Sequence, residues 1–260
     1  MKLYYCEDDL YPATHNFEDE VDGTSGTDIA FIDSVVLYNG AIEIVSDWQS
    51  HRKVLRFQDD ITVGEDPTIN HNETQATAGT REFWLGTNDV TEDWQLRFYE
   101  TGNDYINILR ITTSNLYYKD NAEAWQVIQA VANNILYHLK IVWRADNTFD
   151  VYVGGIKQVD NVANNNNQVS GVNLFSIKAF GDSEDYLYLD AYGDPTNDTD
   201  YDVGDNLKVD WHDPYNKVEI TDIIAYPDID SILDMTTGCG CSIRIDPDDS
   251  TTLYLSLIHI

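Results

Sequence analysis

The chain has 260 residues, and 46 acidic against 15 basic side chains give a formal net charge of −31. That balance argues against a nucleic-acid partner, because a phosphate backbone needs a basic face, and also against an anionic membrane surface. An apolar share of 42% with 12% aromatics supplies a real core, no run reaches the roughly 18–20 apolar residues that span a bilayer, and three cysteines make no disulfide framework.

Along the chain, short period-2 runs punctuated by Gly, Asn and Asp dominate, the signature of an all-β protein. The first ten residues hold Glu7-Asp8-Asp9 and no apolar stretch, so no signal peptide is read there. Strands are expected at Ala41 to Ser46, Lys53 to Gln58, Arg81 to Gly86, Trp94 to Glu100, Tyr105 to Thr112 and Leu116 to Lys119. Asp120 to Ala132 reads equally as a helix or a strand, and Asn133-Asn134 stops it either way. A long strand at Ile135 to Arg144 leads through Ala145-Asp146-Asn147 into Phe149 to Val153. Gly154-Gly155 then turns a hairpin into Ile156 to Val159. The run Asn164 to Asn167 reads as a solvated loop, and Leu174 to Phe180 and Tyr186 to Tyr192 follow as strands. The expected architecture is an antiparallel two-sheet sandwich.

Past Gly193 the character changes to Gly-Asp-Pro-Thr-Asn-Asp-Thr-Asp-Tyr-Asp, almost without core residues. The reading is a sandwich over residues 10–193, an acidic linker over 194–206 and a small, incomplete β-rich unit over 207–260. In that unit Leu207 to Trp211, Lys217 to Ala225, Ser242 to Ile245 and Thr252 to Leu257 are the expected strands. The closing Leu-Ser-Leu-Ile-His-Ile is an exposed apolar terminus, which predicts a truncated C-terminus.

Several segments resemble the laminin-G-like, concanavalin-A-like jelly-roll family. Asn16 to Gly23 (Asn-Phe-Glu-Asp-Glu-Val-Asp-Gly) resembles the family's first strand and turn. Gly79 to Leu85 (Gly-Thr-Arg-Glu-Phe-Trp-Leu) resembles its recurring aromatic strand. Tyr137 to Ile141 with Thr148 to Gly155 resembles its paired strand and hairpin, and Tyr188 to Gly193 its closing strand. The resemblance implies a jelly-roll sandwich on an extracellular, cell-surface or virion-surface protein. It leaves the ligand open, because the fold hosts lectins, adhesion modules, glycan hydrolases and viral fibre domains.

Catalytic signals are missing. Glycan hydrolases of this fold carry Glu-x-Asp-x-x-Glu or Glu-x-Asp-x-Glu on one strand, which puts the carboxylates on one face. Here Glu18-Asp19-Glu20 and Glu7-Asp8-Asp9 are contiguous, so neighbours point to opposite faces. No nucleophile elbow, zincin motif or phosphate loop occurs. Cys239-Gly240-Cys241 offers two thiols without a second ligand pair nearby in sequence.

Two binding readings remain. If Phe83, Leu85, Leu96 and Phe98 face the core, Trp84, Arg97 and Tyr99 point away from it, and His138 shares an outward face with Lys140. Rings stack on a pyranose while donors reach its hydroxyls, so Trp84, Arg97, Tyr99 and His138 are the candidate glycan ligands. Asp194, Asn197, Asp198, Asp200, Asp202 and Asp205 are candidate calcium ligands, being hard oxygens in one loop. The acidity as a whole fits solubility in a salt-rich habitat, divalent-cation binding or a basic partner. The functional expectation is a non-catalytic, lectin-like module that binds a glycan or surface polysaccharide, with calcium as its candidate cofactor. The alternatives are a structural or adhesion module and a glycoside hydrolase.

Overall fold

The computed structural model describes residues 13–196, apart from 38–39, 47, 50, 52, 60–66, 101–104, 167–169 and 181–182. In these residues fourteen strands, numbered in chain order, form two seven-stranded antiparallel sheets. Sheet I runs β1 (Ser34–Val36), β4 (Thr68–Ala76), β13 (Val172–Ala179), β6 (Trp94–Tyr99), β7 (Tyr105–Thr112), β8 (Asn115–Lys119) and β9 (Trp125–Ala130). Sheet II runs β12 (Ile156–Ala163), β11 (Thr148–Val153), β10 (Tyr137–Trp143), β5 (Gly79–Thr87), β14 (Tyr186–Gly193), β3 (Val54–Gln58) and β2 (Ala41–Val45). The fold is the two-sheet jelly-roll sandwich that the alternation implied.

Period-2 strands bury one side each, and the two inner sides meet in one core. Phe83 and Leu85 come from sheet II, Leu96, Phe98 and Phe175 from sheet I, and all are fully buried. Rings from the two sheets meet across the gap: Phe57 with Trp94 at 5.9 Å, Phe83 with Phe175 at 5.9 Å, Phe98 with Trp143 at 6.4 Å. Those separations suit edge-to-face and tilted aromatic packing. The Gly154-Gly155 hairpin forms, with both residues at positive φ and Val153 opposite Ile156.

One open reading is resolved, and three further segments depart from what the sequence announced. Asp120 to Ala132 resolves as a turn and a strand. The Asp120 carboxylate accepts the backbone N–H groups of Ala122 and Ala124 and the amide of Gln126, and β9 then pairs with β8. Asn16 to Gly23 is turns, with a single bridge from His15 to Tyr192 where the resemblance implied a strand. Asn164 and Asn165 are buried, because the backbone N–H groups of Asn164 and Asn166 bond the carbonyls of Asn147 and Ile106 and draw the loop in. The fourth, β4, has the sequence Thr-Ile-Asn-His-Asn-Glu-Thr-Gln-Ala, which does not announce a strand. Its inward side is Ile69, His71 and Glu73, and polar groups there need partners inside. His71 lies stacked on Phe31 at 4.3 Å. Glu73 accepts two hydrogen bonds from Arg81 on β5, Nε at 2.7 Å and Nη2 at 2.9 Å, with both side chains wholly buried.

The sandwich lies in a compact unit over 11–208. Apart from Asp194 to Thr196, the linker over 194–206 and the unit over 207–260 lie outside the described residues, as do Cys6, Cys239 and Cys241.

Because Arg81 joins the sheets through a buried charge pair, Arg81→Gln strands the Glu73 carboxylate inside. The expected loss of unfolding free energy is about 3–5 kcal/mol, read by urea denaturation. A loss below about 1 kcal/mol would mean the charges are not desolvated together.

Candidate functional site

The four candidate glycan ligands divide between the two sheets. Trp84 and His138 are register partners on β5 and β10 of sheet II. Arg97 and Tyr99 sit on β6 of sheet I. Each points away from the common core, so the two pairs occupy opposite outer faces. Alternation tells which side of its strand each residue takes, but not which sheet the strand joins.

On the sheet II face, the loop between β2 and β3 folds over Trp84. Trp48 and His51 close a turn through reciprocal backbone hydrogen bonds of 3.0 Å, with Gln49 at φ 53° between them. Trp48 stacks on Tyr188 of β14 at 3.7 Å and lies so close to Gly86 that a Cβ there would sit 2.9 Å from its ring. The His51 ring stands 5.1 Å from Trp84, and its Nδ1 bonds the Asp190 carboxylate. Trp84 is half-buried, and His51, His138, Glu82 and Asp190 are buried. Burial pushes the Asp190 carboxyl up, and the His51 bond opposes it. Lys140 Nζ lies 3.5 Å from Glu82. The Asp190 and Glu82 carboxylates of this face thus lie against His51 and Lys140. Burial also depresses His138 to about 4, with Glu82 opposing and Lys140 adding to the shift. The imidazole is therefore neutral in ordinary buffers.

On the sheet I face, cations and rings alternate. Lys178 Nζ lies 4.5 Å over Phe180, and the Arg97 guanidinium 5.0 Å over the same ring. Arg97 also lies 5.4 Å over Tyr105, which Lys119 shares at 5.1 Å. Lys119 and Arg110 both approach Trp125, at 5.8 and 4.9 Å. All are half-buried. Arg97 is held by Gln95, whose Oε1 accepts from Nε at 3.2 Å and Nη2 at 2.8 Å, and by Tyr99, whose hydroxyl accepts from Nη1 at 3.1 Å. Tyr105, Lys119, Trp125 and Phe180 are not among the sequence-derived candidates. Their signal, one outward ring or cation per strand, becomes visible only once the strand order is known.

Of the calcium candidates, Asp194 is described. It is 7% exposed and its carboxylate pairs with Arg81 Nη1 at 2.5 Å and accepts the Thr196 N–H at 3.1 Å. That oxygen is committed to the core, not to an open loop. Asp198, Asp200, Asp202 and Asp205, with Asn197, lie outside the described residues. Among the described residues the carboxylates of Asp89, Glu92 and Asp185 lie within 4.8 Å of one another, in the loops before β6 and β14. Three carboxylates are the right donor type for a hard cation. Two of them also accept protein hydrogen bonds, Asp89 from Thr91 and Asp185 from Asn88.

No protein-family profile matches the chain, and no curated protein matches it. Among solved structures it is similar to a sialidase at 11% identity and a TM-score of 0.59, over 75% of this chain and 19% of that one. It is also similar to a cellulose induced protein, Cip1, at 7% identity and a TM-score of 0.51, over 69% of this chain and 94% of that one. The likeness at these identities is one of fold. The chain spans about a fifth of the sialidase's length. No helix among the described residues is long and apolar enough to cross a membrane.

The buried His138 gives a pH prediction. The unfolded chain takes up its proton near pH 6.5, the folded one only near pH 4. Its contribution to stability is therefore complete above about pH 6.5 and is lost as pH falls toward 4. Urea midpoints measured across that window should flatten in His138→Phe relative to the unsubstituted chain. An NMR titration of His138 with its midpoint near 6.5 would contradict the burial argument.

Proposed function

We propose that the sandwich is a non-catalytic, lectin-like carbohydrate-binding module, of laminin-G-like type, on an extracellular or surface protein, and that its binding face is the outer side of sheet I. One observation carries this reading: half-buried rings, Tyr105, Trp125 and Phe180, interleaved with cationic hydrogen-bond donors on the outer face of one sheet. Saccharides are recognised by that pairing of aromatic surface and directed donors. The similar solved structures are named a sialidase and a cellulose induced protein. Their identities speak for the fold, and the glycan reading rests on the face itself.

Trp84 and His138 belong, in this reading, to a packed layer that fastens the β2–β3 loop to sheet II. Calcium enters as a support for the loops before β6 and β14, through Asp89, Glu92 and Asp185.

A glycan array probed with the full chain, with calcium and with chelator, tests this. Tyr105→Ala should weaken specific binding by roughly three- to tenfold, and Trp84→Ala should lower the melting temperature while leaving affinity alone. Weaker binding in chelator that Asp89→Asn reproduces would place the cation in those loops. Silence on the array from folded protein would favour a structural or adhesion module.

A further inference from the structure

The sheet I face also bears on the class of saccharide it takes, a question that rests on the proposed glycan binding and specifies its ligand. We infer that this face binds an anionic saccharide, whose carboxylate or sulfate group is held by the guanidinium of Arg97.

Five arginines are described, and four of them have a carboxylate partner. Arg56 pairs with Glu43, Arg81 with Glu73 and Asp194, Arg110 with Asp93, and Arg144 with Asp150. Arg97 alone has none among the described residues; its bonds go to the neutral Gln95 and Tyr99. In a chain with 46 acidic residues, chance favours a carboxylate beside any arginine. Arg97 is kept clear of one by its setting. Its register neighbours are Ser176 on β13 and Ile108 on β7, neither of them charged.

The donor arithmetic then points outward. A guanidinium has five N–H donors. Gln95 takes one from Nε and one from Nη2, and Tyr99 takes one from Nη1. One N–H remains on each terminal nitrogen. Two such donors in one plane suit the paired oxygens of a carboxylate or sulfate. The plane is already fixed, by the Gln95 and Tyr99 bonds and by the rings of Phe180 and Tyr105. Little ordering cost is therefore left for the moment of binding.

Further cations stand nearby, two of them with a carboxylate partner of their own, Arg110 with Asp93 and Lys119 with Glu123. Gln95 lies opposite Lys178 on one side and Arg110 on the other, and Lys119 stands across Tyr105. These cations come from β13, β6, β7 and β8, consecutive strands of sheet I. They span on the order of 15 Å at the usual strand spacing. That is room for an oligosaccharide laid across the strands.

The test is an array of uronate, sialylated and sulfated oligosaccharides beside neutral ones, each carboxylated probe paired with its methyl ester, read with the full chain at physiological salt. Binding of an anionic probe, at least about tenfold weaker for its ester or neutral analogue and for Arg97→Gln, is expected. Arg97→Lys, which keeps the charge without the fork, should fall between. Preference between carboxylated and sulfated probes tells which group is the natural one. Equal binding of acid and ester would leave the glycan reading standing and overturn the anionic one. Binding of neutral probes alone does the same, and silence on every probe overturns both. Tetraglutamate bound as tightly as the best saccharide would turn the site over to acidic peptides. The acid–ester comparison needs no substitution, so it decides even if Arg97→Gln does not fold.

Discussion

A single buried guanidinium organises this sandwich. Arg81 stands in the core with no exposed surface, and it bonds Glu73 of sheet I with two nitrogens while pairing with Asp194 beyond β14. Trp143 covers the guanidinium at 4.9 Å, and its indole N–H reaches the Ala76 carbonyl at 3.1 Å. The Tyr192 hydroxyl donates to Glu73. Strands from both sheets therefore meet at one charge cluster. Gly79, where a Cβ would sit 2.4 Å from the Trp143 ring, lets the chain pass from sheet I to sheet II directly beneath it. Apolar replacements of a buried ion pair are often as stable, so the cluster's value is in register. A one-residue slip of β4 would turn Glu73 out of the core and leave Arg81 without its main partner.

That register sets the outer faces as well. With β4 and β5 in different sheets, the segments that follow are dealt out in blocks, β6 to β9 to sheet I, β10 to β12 to sheet II, then β13 to sheet I and β14 to sheet II. β5 takes Trp84 to sheet II, and β6 takes Arg97 and Tyr99 to sheet I. The sheet II side is then used for packing, since Gly86 leaves a flat place for Trp48 and Asp190 a partner for His51. The sheet I side keeps its rings half-exposed and its cations over them. Cation–ring contacts hold long side chains in place without consuming their hydrogen-bonding groups. Arg110 also pairs with Asp93 and Lys119 with Glu123, whereas the bonds of Arg97 go to neutral groups.

The legible part of the fold is the part that alternation can encode. Strands whose inward residues are Phe, Leu, Ile and Val announce themselves, and β5, β6, β10 and β14 are all readable in this way. β4 is not, because His71 and Glu73 are inward residues whose partners, Phe31 and Arg81, lie elsewhere in the chain. Asp194 reads as a free oxygen ligand for the same reason: its cation stands 113 positions earlier, at Arg81. The outward direction of Trp84, Arg97 and Tyr99 is correct strand by strand. Their assembly into one site is not, since a period of two carries no information on sheet membership.

The charge of −31, which speaks against a nucleic-acid partner, also limits the anion proposed for sheet I. Exposed charges more than about 10 Å apart are largely screened at 0.1 M salt, so the bulk of the acidity neither attracts nor repels a ligand already on the face. A long polyanion is different, for it would run beyond the four cations and meet the acidic remainder of the surface. The contact must therefore be short and local, with a group or two of negative charge over Arg97 and its neighbours and neutral sugar on either side. An anionic saccharide offers that pattern and a phosphate backbone does not. The composition that speaks against a polyanion thus leaves room for a short anionic group, and Arg97, the one described arginine without a carboxylate, stands where the distinction is made.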